Sequence, residues 1–151
     1  MTLTELRAQL SVAEPDDSTY YGIGPAELPL LEQLLQDAEP WLAARAVFAA
    51  SRIPDPRAVA LLQRAASDAR QEVRVAVAAS VPRVAPASAN QLLLSLLDDS
   101  DHGVRKFAIK SVSGAHDPAV LRKLRDVETR DPLPANREQA SSRLRQLNIT
   151  P

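Results

Sequence analysis

Apolar residues recur at helical spacing along the chain, and the pattern itself repeats every 31 residues. In each unit, paired leucines or alanines at positions i, i+1, i+4 and i+5 predict a helix with one buried stripe. A second segment follows, in which single apolar residues recur every three or four positions. Two amphipathic helices in a period of this length are typical of stacked-repeat proteins. The pattern therefore predicts an all-α protein, an α-solenoid of about four antiparallel helix pairs.

The predicted core positions recur every 31 residues, so each has an equivalent in the next repeat; we call this 31-residue spacing the lattice. Those of the first helices are Leu30, Leu31, Leu34 and Leu35, then Leu61, Leu62, Ala65 and Ala66, then Leu92, Leu93, Leu96 and Leu97. Those of the second helices, near 41–53, 72–84 and 103–115, are Leu42, Ala46, Ala49 and Ile53, then Val73, Val77, Val81 and Val84, then Val104, Ala108, Val112 and Ala115. A fourth, looser pair is predicted at about 118–130 and 135–147, with a polar outer face suited to the end of a stack.

Prolines and capping residues mark the helix ends. Asp55 and Asp117 directly precede prolines, which predicts an N-cap followed by Pro in the first turn. Pro29 is expected to delay or bend its helix, and Pro82 to kink its helix or end it near Val81, because proline has no N–H to donate.

The first 24 residues precede the repeats. Thr2 and Glu5 have the spacing of a capping box at the start of a short amphipathic helix over 2–12. This helix is expected to cover the exposed end of repeat one. We predict one domain over 1–151, with an N-terminal cap at 1–24 and repeats at about 25–54, 55–85, 86–116 and 117–151.

Composition narrows the chemistry. Apolar residues make up 45% of the chain and aromatics 3%, so the core is built from Leu, Ala and Val. There is no cysteine, which excludes disulfides, thiolate catalysis and cysteine-based zinc sites. No signal peptide or membrane span is evident, and a cytoplasmic location is expected.

Charge is distributed unevenly. Residues 1–40 contain eight acids and one base, whereas the remainder contains 17 bases and 11 acids. The overall net charge of −1 is therefore the sum of an acidic N-terminal segment and a basic remainder. This asymmetry suggests a charged partner.

No catalytic or cofactor site is predicted. Asp98, Asp99, Asp101 and His102 cluster in one turn, but they lack the spacing of a calcium loop, and turn-forming and helix-capping roles explain them. His102 and His116 both fall at turns, away from any converging carboxylates. We therefore expect no metal, no cofactor and no enzymatic activity.

The interhelical turns resemble those of HEAT repeats, and more closely the HEAT-like repeats of phycobiliprotein lyase subunits. The shared pattern is a turn Asp followed by Val-Arg: Asp68 precedes Val73-Arg74, and Asp99 precedes Val104-Arg105. Repeat one departs from it, with Ala43 at the Arg position and Arg45 two residues later. The resemblance covers roughly 25–147 and implies a right-handed superhelix. It also implies a structural ladder between neighbouring repeats, formed by Asp68, Arg74, Asp99 and Arg105.

The resemblance further implies that the second helices line a concave groove. Positions on these helices that the core does not need would face a partner. They are Val47, Phe48, Arg52, Val75, Arg83, Lys106, Ile109 and Lys110. Such a groove would be apolar at one end and basic at the other.

The function expected from this surface is protein–protein interaction, as a scaffold that binds a partner segment, such as an acidic or amphipathic helix. One alternative, from the resemblance alone, is an accessory subunit of a lyase-like enzyme that acts on a prosthetic group; the lack of Cys and the few aromatics argue against a chromophore pocket. Another is nucleic-acid binding through the basic C-terminal half, against which the near-neutral net charge and few stacking aromatics speak. The chain is expected to be a monomer or weak oligomer.

Overall fold

The computed structural model describes residues 1–148. Within this range the chain forms nine α helices and no strand, which confirms the all-α prediction. The helices are α1 (Leu3–Leu10), α2 (Leu28–Leu35), α3 (Pro40–Ala50), α4 (Pro56–Ala65), α5 (Gln71–Ser80), α6 (Pro86–Leu96), α7 (His102–Ser111), α8 (Pro118–Arg130) and α9 (Pro134–Gln146). Short 3₁₀ turns lie at Asp17–Tyr20, Pro25–Glu27 and Val81–Arg83.

The helix ends follow the local sequence. The Oγ1 of Thr2 accepts the N–H of Glu5 at 3.1 Å, and a Glu5 carboxylate oxygen accepts the N–H of Thr2, so the capping box is present. Asp55 caps α4 by accepting the N–H of Arg57 at 2.8 Å. These bonds satisfy N–H groups that have no partner inside the helix.

Both of these prolines lie at helix boundaries, Pro29 in the first turn of a helix and Pro82 just after the end of one. Pro29 is the second residue of α2, which begins only after the 3₁₀ turn Pro25–Glu27. Helix α5 ends at Ser80, and Pro82 lies in the 3₁₀ turn that follows. A proline in the first turn lacks only an N–H that would have no partner there, whereas one further along removes a helical hydrogen bond.

The first compact unit comprises residues 1–77. Helices α2 and α3 pack as a pair, α4 contacts both of them, and α1 contacts α2 and α3. The predicted leucines of α2 and α4 are buried, apart from half-buried Leu30. Contact between the first helices α2 and α4 is the arrangement expected of neighbouring repeats.

The second compact unit comprises residues 78–151, and the boundary falls within α5, between Val77 and Ala78. Helices α6 and α7 form one pair, and α8 and α9 another. The first helices of these pairs, α6 and α8, contact each other, and so do the second helices, α7 and α9. Within this unit, each layer of one helix pair therefore packs on the same layer of the next. That the two units make one domain stays a prediction.

One predicted core residue is wrong. Ala115 is exposed, because α7 ends at Ser111 and the chain turns away before position 115. His116 is the buried side chain of this turn instead. The other predicted core positions of the second helices, from Leu42 to Val112, are buried. In residues 1–148, no helix has the length and apolarity needed to cross a bilayer.

Candidate functional site

The turns between paired helices repeat one polar arrangement. In each turn an Asp carboxylate accepts the backbone N–H two residues further on, at 2.9 Å. The four pairs are Asp37 with Glu39, Asp68 with Arg70, Asp99 with Asp101, and Asp131 with Leu133. Such an Asx turn lets a short polar side chain replace a backbone acceptor at the entrance of the second helix.

An arginine six residues after the Asp closes the same turn. The Nη1 atoms of Arg74, Arg105 and Arg137 each donate to the main-chain carbonyl of the turn Asp, at 2.9, 2.9 and 2.6 Å. All four residues predicted for the ladder, Asp68, Arg74, Asp99 and Arg105, belong to these turns. Within each unit these contacts satisfy turn backbone groups, which would be costly to leave unpaired.

One guanidinium also reaches the carboxylate of the following turn. Arg105 donates from Nε and Nη2 to the two oxygens of Asp131, at 2.8 and 3.2 Å. The side chain of Asp131 is 1% exposed and that of Arg105 12%. Burial by itself would raise the pKa of Asp131, but the hydrogen bonds from Arg105 and from the Leu133 N–H outweigh it and lower that pKa. Asp131 therefore holds a buried negative charge.

Repeat one completes its turn differently, because Ala43 stands at the arginine position. Arg70 of the next repeat donates to the carbonyls of Leu35 and Asp37 at 2.7 and 2.6 Å, and Arg7 of α1 pairs with the Asp37 carboxylate. Arg45 instead donates to the carbonyls of Leu10 and Val12 at 2.8 and 2.9 Å. It thereby fastens the end of α1 to α3, which accounts for the departure seen in the sequence.

Two of the predicted groove residues of the first unit already have intramolecular roles. Val47 is fully buried, so it belongs to the core, and its assignment to a partner-facing surface is wrong. Arg52 forms an ion pair with Asp17 at 3.0 Å, and its guanidinium carbon lies 4.2 Å from the centre of the Tyr20 ring. Phe48 and Val75 are half-buried.

The predicted groove residues of the second unit are more accessible. Lys110 and Arg83 are exposed and Lys106 is half-buried. Ile109 is fully buried, as Val47 is, so its side chain belongs to the core and its assignment to an exposed surface is wrong; it lies beneath a cleft between α7 and α9. This cleft, of about 340 Å³, is lined by Ile109, Lys110, Gln139, Ser142, Arg143 and Gln146. We call it the α7–α9 cleft.

The α7–α9 cleft joins an apolar base to cationic and amide groups, with no carboxylate in its lining. Arg143 is held in place, since its Nε donates to the Val112 carbonyl at 2.8 Å and its Nη1 to the Gln146 side chain at 3.0 Å. The Nζ of Lys110 lies 5.5 Å from the Phe107 ring centre. Convergent polar groups over an apolar base are typical of binding sites.

Two other cavities contain several charges that already form ion pairs. A wider depression of about 830 Å³ lies between α2 and α4, where Arg64 pairs with Glu32 and Arg57 with Asp55. A cavity of about 350 Å³ beside the turns of the second unit contains the Arg105–Asp131 pair, together with Lys123, which pairs with Asp98. The α7–α9 cleft is therefore the better candidate for an external ligand.

The acidic turn before α7 is used by the fold. Asp101 caps α7 by accepting the Val104 N–H at 2.9 Å, Asp99 forms the Asx turn, and Asp98 pairs with Lys123. Over the described part of the chain, no three His, Cys, Asp or Glu side chains are grouped so that they could hold a metal ion.

His116 closes the turn between α7 and α8. Its Nδ1 accepts the N–H of Ser113 at 2.8 Å, which requires that this nitrogen carry no proton. Burial lowers the pKa of His116 below its ordinary value. The folded protein therefore prefers the neutral ring, whereas the unfolded chain takes up a proton as the pH falls below about 6.5.

Stability should thus be greatest above that pH and should fall as the solution is acidified towards the lower folded-state pKa. In His116→Asn, an amide oxygen takes the place of Nδ1 and cannot titrate there. We expect the variant to lose this part of the pH dependence in urea denaturation series. An equal decline in both proteins between about pH 7 and pH 5 would contradict a role for His116.

Helix pairs packed layer on layer, joined by Asp turns that an arginine closes, define a helical-repeat protein of the α-solenoid class. The family model for HEAT repeats matches residues 27–84 and 61–145. These matches cover most of the chain, which therefore belongs to the HEAT-repeat family, as the turn pattern indicated.

Solved structures show the same fold. A chain in the complex of CpcE and CpcF of phycocyanin lyase from Nostoc sp. PCC7120 is 21% identical, with a TM-score of 0.73 over 93% of this chain and 96% of that chain. A designed armadillo repeat protein in complex with the peptide (KR)4 is 18% identical, with a TM-score of 0.56 over 97% of this chain and 82% of that one. A comparison with curated protein sequences finds no match.

Proposed function

We propose that this HEAT-repeat protein is a scaffold that binds a segment of another protein in the α7–α9 cleft. The observation that carries the proposal is the lining of this cleft, where an apolar base meets cations and amides without a compensating carboxylate. Both walls belong to second helices, the layer in which the sequence predicted a partner-binding surface.

The solved structures of similar fold support the general role. The CpcE and CpcF structure is a complex of two proteins, and the designed armadillo protein was solved with a bound peptide. Stacked helical repeats present extended surfaces to partners, and their specificity lies in the side chains on those surfaces. For this chain those side chains are the cleft residues, together with Lys106 one turn earlier on α7.

Photocrosslinking tests the proposal. With p-benzoylphenylalanine in place of Ser142, one defined segment of a partner should be captured in the native host and identified by mass spectrometry. The same group in place of exposed Arg122 on α8 is the control position. Capture at Ser142 should be lost with Lys110→Glu and kept with the charge-matched Arg122→Glu. Equal capture from both positions, or none from Ser142, would contradict the proposal.

A second candidate is an accessory subunit of a lyase-like enzyme that acts on a prosthetic group. The fold likeness to the phycocyanin lyase chain is the observation that favours it. Protein purified from its native host should then bring with it a pigment or a pigment-bearing protein, detected by visible absorbance. Colourless preparations with no such companion would count against this candidate.

A further inference from the structure

Among the described residues, the cations at the α7–α9 cleft have no acidic partner: Lys110 and Arg143 line the cleft, and Lys106 lies one turn earlier on α7. Elsewhere in the second unit, Arg105 pairs with Asp131 and Lys123 with Asp98. Among the described residues, Lys106 and Lys110 form no ion pair, and Arg143 donates only to neutral oxygens. Cations gathered without counter-charges favour the approach of an anionic ligand.

Gln139 adds an unused hydrogen-bond acceptor. Its Oε1 is buried and has no partner within residues 1–148. Leaving such an atom unpaired in the interior costs free energy. No internal bond must break for the amide to turn towards the cleft that Gln139 lines. A ligand that brings an N–H group would remove this cost.

The lysine spacing sets the spacing of the anions. Lys106 and Lys110 are four residues apart on α7, so they share one face and differ by about 6 Å along the helix axis. In an extended chain, side chains at i and i+2 lie on one face about 6.6 Å apart. Two acids separated by one residue would therefore match both lysines.

The need for an N–H distinguishes an extended segment from a helix. Past its first turn, a helix uses its N–H groups internally, whereas an extended segment leaves them available. An extended segment can therefore present carboxylates to the lysines and a mid-segment N–H to Gln139 at the same time, whereas a helix could do so only with the free N–H groups of its first turn.

We propose that the α7–α9 cleft recognises an extended acidic segment of the form acid–x–acid. Its two side-chain carboxylates bind Lys106 and Lys110, and an intervening backbone N–H binds Gln139. Arg143 adds positive charge on the opposite wall. This inference rests on the proposed function and names the partner chemistry that the same cleft would select.

Peptide binding tests the inference directly. The probe is a fluorescent Gly-Ser-Glu-Val-Glu-Ser-Gly peptide with both ends blocked, and affinity is measured by fluorescence anisotropy with the full chain. Replacing both glutamates with glutamine should weaken binding by about tenfold or more. Raising the salt concentration from about 0.05 M to about 0.3 M should weaken the binding of the glutamate peptide and leave the binding of the glutamine peptide nearly unchanged.

Two comparison peptides distinguish other sources of the same chemistry. One is a stapled helix with glutamates four residues apart, and the other has its own C-terminal carboxylate as its only acid. Both should bind about tenfold more weakly than the probe. Equal or tighter binding of either peptide would overturn the extended acid–x–acid assignment.

The contact with Gln139 has its own test. Methylating the backbone nitrogen of the valine between the glutamates should weaken the binding of the peptide to the wild-type protein several-fold. It should not weaken binding to Gln139→Met, which has lost the acceptor. Lys110→Glu should strongly weaken binding of the probe peptide, and Arg122→Glu should not. Thermal melts check that each variant is folded. An equal effect of N-methylation on wild type and Gln139→Met would overturn the contact.

The two proposals fail separately. If crosslinking at Ser142 captures a segment that is neutral or helical, the cleft binds a partner but the acid–x–acid inference is wrong. If Ser142 captures nothing, the proposed function is contradicted, whatever the synthetic peptides do.

Discussion

Arg105→Ala is expected to lower the free energy of unfolding by about 3–5 kcal/mol, the range found when one member of a buried ion pair is removed. The reason is the charge left behind: Asp131 is 1% exposed and would lose both guanidinium bonds. The carbonyls of Asp99 and Ser100 would lose a donor as well. Urea denaturation followed by circular dichroism measures the change.

Two controls separate the buried charge from the loss of an arginine. Arg57→Ala breaks a solvent-exposed pair with Asp55 and should cost far less than Arg105→Ala, because water screens the charges of exposed pairs. Adding Asp131→Asn to Arg105→Ala should recover part of the loss, because the amide keeps an acceptor for the Leu133 N–H without the charge. A double variant no more stable than Arg105→Ala would show that the buried charge is not the cause.

Leu61→Ala is expected to cost about 2–5 kcal/mol, because a fully buried leucine is replaced by a residue that leaves a cavity. Leu30 is the matched control, since it stands at the same lattice position one repeat earlier but is only half-buried. Its replacement by alanine should cost clearly less. Thermal and urea denaturation of both variants measure the difference. Equal losses would mean that lattice position, rather than burial, determines the contribution of a leucine.

The helices could be predicted because short-range rules agree with one another along most of this chain. The paired leucines, the Asp-Pro starts, the late start of α2 at Pro29 and the end of α5 before Pro82 each depend on a few residues of sequence. The error at Ala115 arose where the lattice was extended beyond the real end of α7. There, His116 and Ser113 form a local turn that the apolar pattern does not encode.

The polar contacts were harder to predict, because some of the residues that make them do not follow the 31-residue spacing of the repeats. Asp131 lies 32 residues after Asp99 rather than 31, so a search with a strict 31-residue period does not find it. It nevertheless accepts the buried bond from Arg105. Asp131 and Arg137 are also six residues apart, as in the other turns, so a search for that Asp–Arg spacing alone would have found Asp131.

The cleft could be predicted only in part. The sequence predicts Lys110 and Ile109 on the partner surface, but the opposite wall comes from Gln139, Ser142 and Arg143 of α9, whose polar face is equally typical of the end of a stack. Applying the second-helix rule to the fourth repeat would have found it. Val47 was misassigned because α3 is apolar nearly all round, and a one-dimensional pattern does not show which side faces a neighbouring helix.

The Asp turns described above have a consequence for how the chain reaches its native state. Each turn carboxylate binds an N–H two residues away, and each closing arginine binds a carbonyl six residues back. Such links need little loop closure, so a hairpin can form before distant parts of the chain meet. Proteins rich in local contacts fold quickly, and repeat arrays can nucleate at more than one point. Refolding should therefore be rapid and should begin at the turns.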